Sequence, residues 1–444
     1  MLPPNVFQPI GSRRLTQMAR NTSVTSTARR LSFKSPRSLN ETQNPLPATF
    51  LRGGTSKGVF LNQDDLPSNT SLWPAIFLGL MGSPDPEYGR QLNGMGGGIS
   101  SLSKICLVKP AEEKESKELD VDVEYTFVQV GIRDSDIDLS GNCGNLSSMI
   151  GVFAVDEGMC MPRIRIGEGG GDDSQITLGS VRAFNTNTQK VIETTFPVRK
   201  GEGSTLLDSE YVPDIDIPQT SIAGVSGKAS VITLDFHNPS GARTGKLLPT
   251  GNSKTALSVQ APDGTSTSVP ATLIDASNPT VIVPYEALSS LGPSLEEYTR
   301  GKPTESVDEM LESLRREGAL QMGLDPSAKA QPKIAIVRPP STKEDDRNEV
   351  DVVVHALSMG VLHKAVPMTL GLCLGVAANV EGSVVWDVLR HSSSRRSTET
   401  PGLVKLKHPS GVVDVGAKFD EHGNVISAQV VRTGRRLMKG HVWW

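Results

Sequence analysis

Residues 369–380 read TLGLCLGVAANV, a run with no charged residue and no polar face. A helix that is apolar all round is buried all round, so this stretch predicts a helix enclosed by other elements. A second one is predicted at 146–155, where Leu146, Met149, Ile150 and Phe153 recur at helical spacing. What encloses them is read from the rest of the chain. Short runs at 48–52, 58–61, 103–108, 124–131, 229–236, 280–283, 333–337 and 350–356 are rich in Val, Ile, Phe or Thr and bounded by Gly, Pro, Asn or Asp, the pattern of strands. A third helix at 304–322 places Val307, Met310, Leu311 and Leu314 on one face, with Ser306 and Glu309 as a capping box, and reads as a surface helix. A strand-rich chain with two buried helices implies an α+β fold in which sheet wraps around a helix, twice over. The charged stretches at 110–122 and 341–348, and the Ser/Arg-rich 391–401, read as solvated loops.

The chain has 444 residues, more than one hydrophobic core usually serves. A net charge of −4 argues against nucleic acid or an anionic membrane surface as the main partner. No apolar run approaches the ~20 residues of a membrane-spanning helix. The four cysteines form no C-x-x-C pair and the seven histidines show no metal-ligand spacing, so neither a disulfide scaffold nor a metal site is expected. Residues 1–45 differ from the rest: Arg-rich, Ser-rich and without an acid before Glu41. That is the composition of a mitochondrial transit peptide, or of an unordered extension on a cytosolic protein.

Five loops carry polar groups in patterns worth weighing for chemistry. RGGTSKG, around Lys57, and SGARTGKLL both miss the G-x-x-x-x-G-K-[ST] spacing of a phosphate loop. GMGGGISS lacks the strand–helix setting of a dinucleotide fingerprint. The sequence SGNCGN (140–145) places Cys143 at a predicted helix start. Unpaired N–H groups and the positive dipole end favour a thiolate there, and a thiol of pKa ~8.5 can fall by about a unit or more. A small residue buried in a turn is the plainer alternative. Cys106, Cys160 and Cys373 read as structural. In the second half Ser358, Met359, Gly360, His363 and Lys364 lead into the apolar helix, a setting suited to a carboxylate or, more simply, to a capping turn. His237, His408, His422 and His441 lie in turn contexts and read as surface residues.

FLRGGTSKG, GSPDPEYGRQLNGMGGGISSLSK, SGNCGN, LLPTGN, IDASNP, SMGVLHKAVPMT, HPSG and VVRTGRRLMKG occur in this order. In this the chain, from about residue 46 to its end, closely resembles the PrpF family of aconitate-type isomerases and tautomerases. The resemblance implies a diaminopimelate-epimerase-like fold of two pseudo-symmetric halves, 46–230 and 231–444, with the last segment returning to the first. The cleft between the halves holds the site, and no metal or organic cofactor is used. It places Cys143 and Lys57 on the catalytic cysteine and lysine. It places Thr55, Ser56, Gly97, Asn142, Gly144, Asn145, Asn278, Ser358, Met359, Gly360, His363 and Lys364 on the substrate-binding loops. The implied substrate is a small polycarboxylate, plain or alkyl-substituted. A homodimer and a functional link to an aconitase-like dehydratase are further expectations. His355, where the resemblance leads one to expect Arg, departs from the pattern and is expected to change which substituent the cleft accepts. A racemase of the same fold is disfavoured, because no cysteine stands at the second-half turn.

Overall fold

The computed structural model describes residues 43–166, 176–201, 211–260, 266–291, 295–302, 304–341, 350–358, 360–363, 365–391 and 402–444. The targeting reading at 1–42, residues Met359 and Lys364, and most of the loops at 341–348 and 391–401 lie outside them.

The strands form one continuous sheet. From one edge, Gly434–Val442 runs antiparallel to Leu46–Gly53, which is antiparallel to Ser56–Asn62. Ser56–Asn62 is parallel to Lys104–Pro110, which is antiparallel to Val123–Val130. Val123–Val130 is parallel to Thr177–Asn185, which is antiparallel to Lys190–Lys200. From the other edge, Thr255–Gln260, Ser266–Ala276, Asn278–Pro284, Lys333–Arg338, Val352–Ser358, Leu403–His408 and Gly411–Phe419 repeat the same series: antiparallel, antiparallel, parallel, antiparallel, parallel, antiparallel. Ile232–His237 and Val425–Arg432 join the two arcs, pairing with each other, with Lys190–Lys200 and with Gly411–Phe419. The repeated series is the pseudo-symmetry that the coarse echo of the sequence suggested.

Each arc bends around a helix. The 369–380 run forms Met368–Ala377, buried at every residue from Leu370 to Ala377. It packs on Ser266–Ala276, Asn278–Pro284, Gly411–Phe419 and Val425–Arg432. Burying each Leu or Val side chain stabilises by about 1.5–3 kcal/mol. Gly375 lets the helix touch the sheet backbone, since a Cβ there would lie 2.7 Å from the Gly416 amide nitrogen. The 146–155 helix is present in two pieces, Gly144–Ser147 and Ile150–Asp156. Two serines explain the break: the hydroxyl of Ser147 donates to the Cys143 carbonyl (3.1 Å) and that of Ser148 to the Asn145 carbonyl (2.7 Å), competing with the helix ladder. Helix Glu305–Gln321 begins after Thr304 rather than at a Ser306 capping box. The 110–122 stretch contains a short helix, Glu113–Leu119, where a loop was expected.

The pleat sorts side chains onto two faces. In the first arc Leu51, Phe60, Cys106 and Phe127 face the enclosed helix, with Leu146, Ile150 and Phe153. Val59, Leu61, Ile105 and Leu107 face outward, under helix Trp73–Met81. In the second arc Ala335, Val337, Val352, Val354 and Ala356 face inward. Ile334, Ile336 and Leu357 face outward under Glu305–Gln321. The inward faces of both arcs and both helices share one core.

Candidate active site

Where the two enclosed helices begin, they meet. Cys143 is the N-cap of Gly144–Ser147 and Pro367 that of Met368–Ala377. A Cβ on Gly144 would lie 1.9 Å from Met368 Sδ, so the two helix starts are in contact across the junction of the arcs. Beside them lies a cleft of about 410 Å³, lined from the first arc by Thr55 and Asn145 and from the second by Val366, Met368 and Gly371, with Arg432 between. That volume falls in the range of small-molecule sites.

Asn145 is the hub. Its Nδ2 donates to Thr55 Oγ1 (3.1 Å) and Ser56 Oγ (3.4 Å), and its Oδ1 accepts from Arg432 Nε (3.0 Å). Cys143 Sγ lies 3.7 Å from the same Ser56 Oγ. The turn between the first two strands fits because Gly53 has no side chain: a Cβ there would lie 2.2 Å from the Asn145 carbonyl oxygen. Asn142 does not reach into the cleft; its amide is spent on Ser147 Oγ, which also meets the Tyr125 hydroxyl at 2.9 Å. Arg432 is drawn down to about 10 by burial, against the favourable pull of Cys143. It stays cationic at neutral pH and offers a carboxylate a charged partner.

Lys57 and Ser56 take different faces of the sheet, because they are successive residues of one strand. Ser56 faces Cys143. Lys57 faces outward, its Nζ 5.8 Å from the centre of the Phe50 ring, and Phe50 packs on the outer core. Lys104 occupies the inward face. It stands in register between Gly58 and Gln129, 8% exposed, with Nζ 4.9 Å from the Phe127 ring centre and hydrogen-bonded to Gln129 Oε1. Cys106, two residues on, lies within the field of both groups: burial and Cys143 push its thiol well up, while Lys104 pulls it down.

Other expected residues are not brought to this cleft. Gly97 sits on an exposed turn against Leu102. Asn278 is buried, donating to the Pro279 carbonyl and accepting from Gln331. Ser358 ends its strand, while Gly360 and His363 line a second cavity. His355 faces that second cavity on the outer side of the arc, so it does not shape the cleft. His408, expected on the surface, is 8% exposed and lines both spaces. Cys373 is fully buried, its thiol pushed up to about 12 by burial, and the start of its helix carries no second thiol. Arg432 had one signal in the sequence, its place in VVRTGRR, but nothing there showed which of three arginines faces inward.

Arg432→Met is expected to raise KM for the substrate about tenfold or more while kcat falls less, as for a group that binds ground state and transition state alike. Steady-state kinetics on the purified chain checks this.

A sheet that encloses two helices in turn, with a thiol where their starts meet, is the diaminopimelate-epimerase-like arrangement. The sequence model described as PrpF protein matches residues 43–444, and the chain belongs to the PrpF family. It is 35% identical over 422 residues to the 2-methyl-aconitate isomerase of Cupriavidus necator, covering 90% of this chain and 97% of that one. It is 31% identical over 415 residues to the 3-methylitaconate isomerase of Eubacterium barkeri, with 90% and 97% covered. A crystal structure of a methylitaconate-delta-isomerase superposes with a TM-score of 0.72 at 30% identity, over 91% of this chain and 96% of that one.

Proposed function

We propose that the chain is an isomerase that moves a proton and a double bond within an aconitate-type or itaconate-type polycarboxylate. The observation that carries this reading is the linked set Cys143–Ser56–Asn145–Arg432 at the meeting point of two helix starts. A carbon acid of this class needs a base that reaches an allylic C–H, and a cation near the carboxylate that takes up charge. In our reading the thiolate of Cys143 removes the proton. Arg432 holds a carboxylate, and the inward-facing ammonium of Lys104 offsets the dienolate charge or returns a proton at the other carbon. The names of the relatives support the substrate class. A homodimer, a link to an aconitase-like dehydratase and a mitochondrial or cytosolic location rest on the family resemblance and on the composition of residues 1–45, and belong to the proposal.

The test is an NMR assay in D₂O across cis-aconitate, trans-aconitate, 2-methylaconitate and methylitaconate. The expected result is a shifted or inverted double bond in at least one acid, with deuterium at the carbon that receives the proton. Four acids recovered unchanged and unlabelled would overturn the reading.

A further inference from the structure

On the outer face of the second arc lies a separate cavity of about 1180 Å³. Its floor is the strand pair Lys333–Arg338 and Val352–Ser358, in register so that Ile336 stands opposite His355 and Arg338 opposite Val353. Its wall includes Tyr298, Thr299 and Arg300. His355 is 8% exposed, and its Nδ1 is buried with no hydrogen-bond partner among the described residues. Burial, helped by the charge of Arg338, lowers its pKa to about 4, with the Thr299 backbone pulling the other way. At neutral pH the ring is therefore uncharged and one ring nitrogen is an acceptor. A buried acceptor without a donor is costly, and a ligand that brings a donor removes that cost.

Arg338 supplies the second half of a site. Its Nη1 donates to the Pro339 carbonyl (3.1 Å) and to Ser341 Oγ (2.7 Å), while Nε and Nη2 meet no acceptor among the described residues. Those two N–H groups form the edge that takes a carboxylate in a paired, two-point contact. Two of the acids on the lining are engaged elsewhere: Glu296 with Arg300 at 2.5 Å, and Asp308 with the Tyr298 hydroxyl at 2.5 Å. Glu286 is the third carboxylate on the lining.

We propose that this cavity binds a small hydroxycarboxylic acid, with its carboxylate on the Arg338 guanidinium and its hydroxyl donating to His355 Nδ1. His408 and Ser410 line both this cavity and the cleft beside Cys143, so the two spaces share a wall while remaining separate sites.

The test uses the full chain and two probes, citrate and tricarballylate, which share a carbon skeleton and differ by the hydroxyl. Calorimetric titration is expected to show citrate binding, with tricarballylate at least about tenfold weaker. His355→Leu and, separately, Arg338→Met are expected to weaken citrate at least about tenfold, with circular dichroism melts reporting whether each variant folds. In the Arg432→Met background, where binding in the cleft beside Cys143 is weakened, citrate is still expected to bind the second cavity, and adding His355→Leu is expected to remove that binding. The proposal is overturned if citrate does not bind, if both acids bind equally, or if Arg432→Met abolishes citrate binding while His355→Leu does not. The readout is binding rather than turnover, so its failure is distinct from failure of the isomerase reading.

Discussion

Cys143→Ser is expected to lower kcat at least about a thousandfold, with the melting temperature within a few degrees of the parent. Serine matches the shape of cysteine and still reaches Ser56 Oγ, which lies 3.7 Å from the sulfur, so packing at the helix start changes little. What is lost is the base. An alcohol is far too weak an acid to supply its anion near neutral pH, and general-base catalysis contributes about 10²–10⁴-fold. The helix start and Arg432 amplify the loss, because both are placed to act with the thiolate and offer no substitute for it. Single-turnover NMR together with a thermal melt checks both parts. A Cys143→Ser enzyme within tenfold of the parent would show that the proton goes to another group.

The second large effect separates the two lysines. Lys104→Met is expected to lower kcat about a hundredfold or more with KM little changed, whereas Lys57→Met stays within about threefold of the parent in both. Methionine keeps the apolar stem that packs beside Phe127 and removes the charge. A cation that matters most as charge builds in the transition state shows its loss in kcat. Lys57 lies on the other side of the same sheet, against Phe50, with its strand's backbone between it and Cys143. Parallel kinetics on the two variants decides the matter. If Lys57→Met proved the slow enzyme, the face assignment would be wrong.

The enclosed helices and most first-arc strands were legible because apolar runs and period-two alternation follow directly from burial. Thr177–Asn185, Lys190–Lys200 and the four C-terminal strands from Leu403–His408 to Gly434–Val442 were not read as strands. They carry polar residues among the apolar ones: Arg182, Glu193 and Lys405 lie on the outward face while Thr194 lies inward against Gly151, which weakens the contrast between the faces. The thiol and the turn at Thr55 and Ser56 were legible from Gly, Ser and Asn around a helix start. That Lys57 and Lys104 take opposite faces was not legible, because it depends on which way each strand faces, and a one-residue difference in register reverses every side chain. The quiet part of the site was not legible because Arg432 pairs in register with Ile232 and meets Asn145, both far away in the chain, and because His408 is buried by a strand pairing with Val352–Ser358 that no local pattern announces.

The edge strand of the first arc is Gly434–Val442, the last one in the sequence. During synthesis Leu46–Gly53 therefore emerges with a flank that stays open until Gly434–Val442, far along the chain, has been made. Loss of Gly434–Val442 would leave the half carrying the thiol with an uncapped, adhesive ribbon.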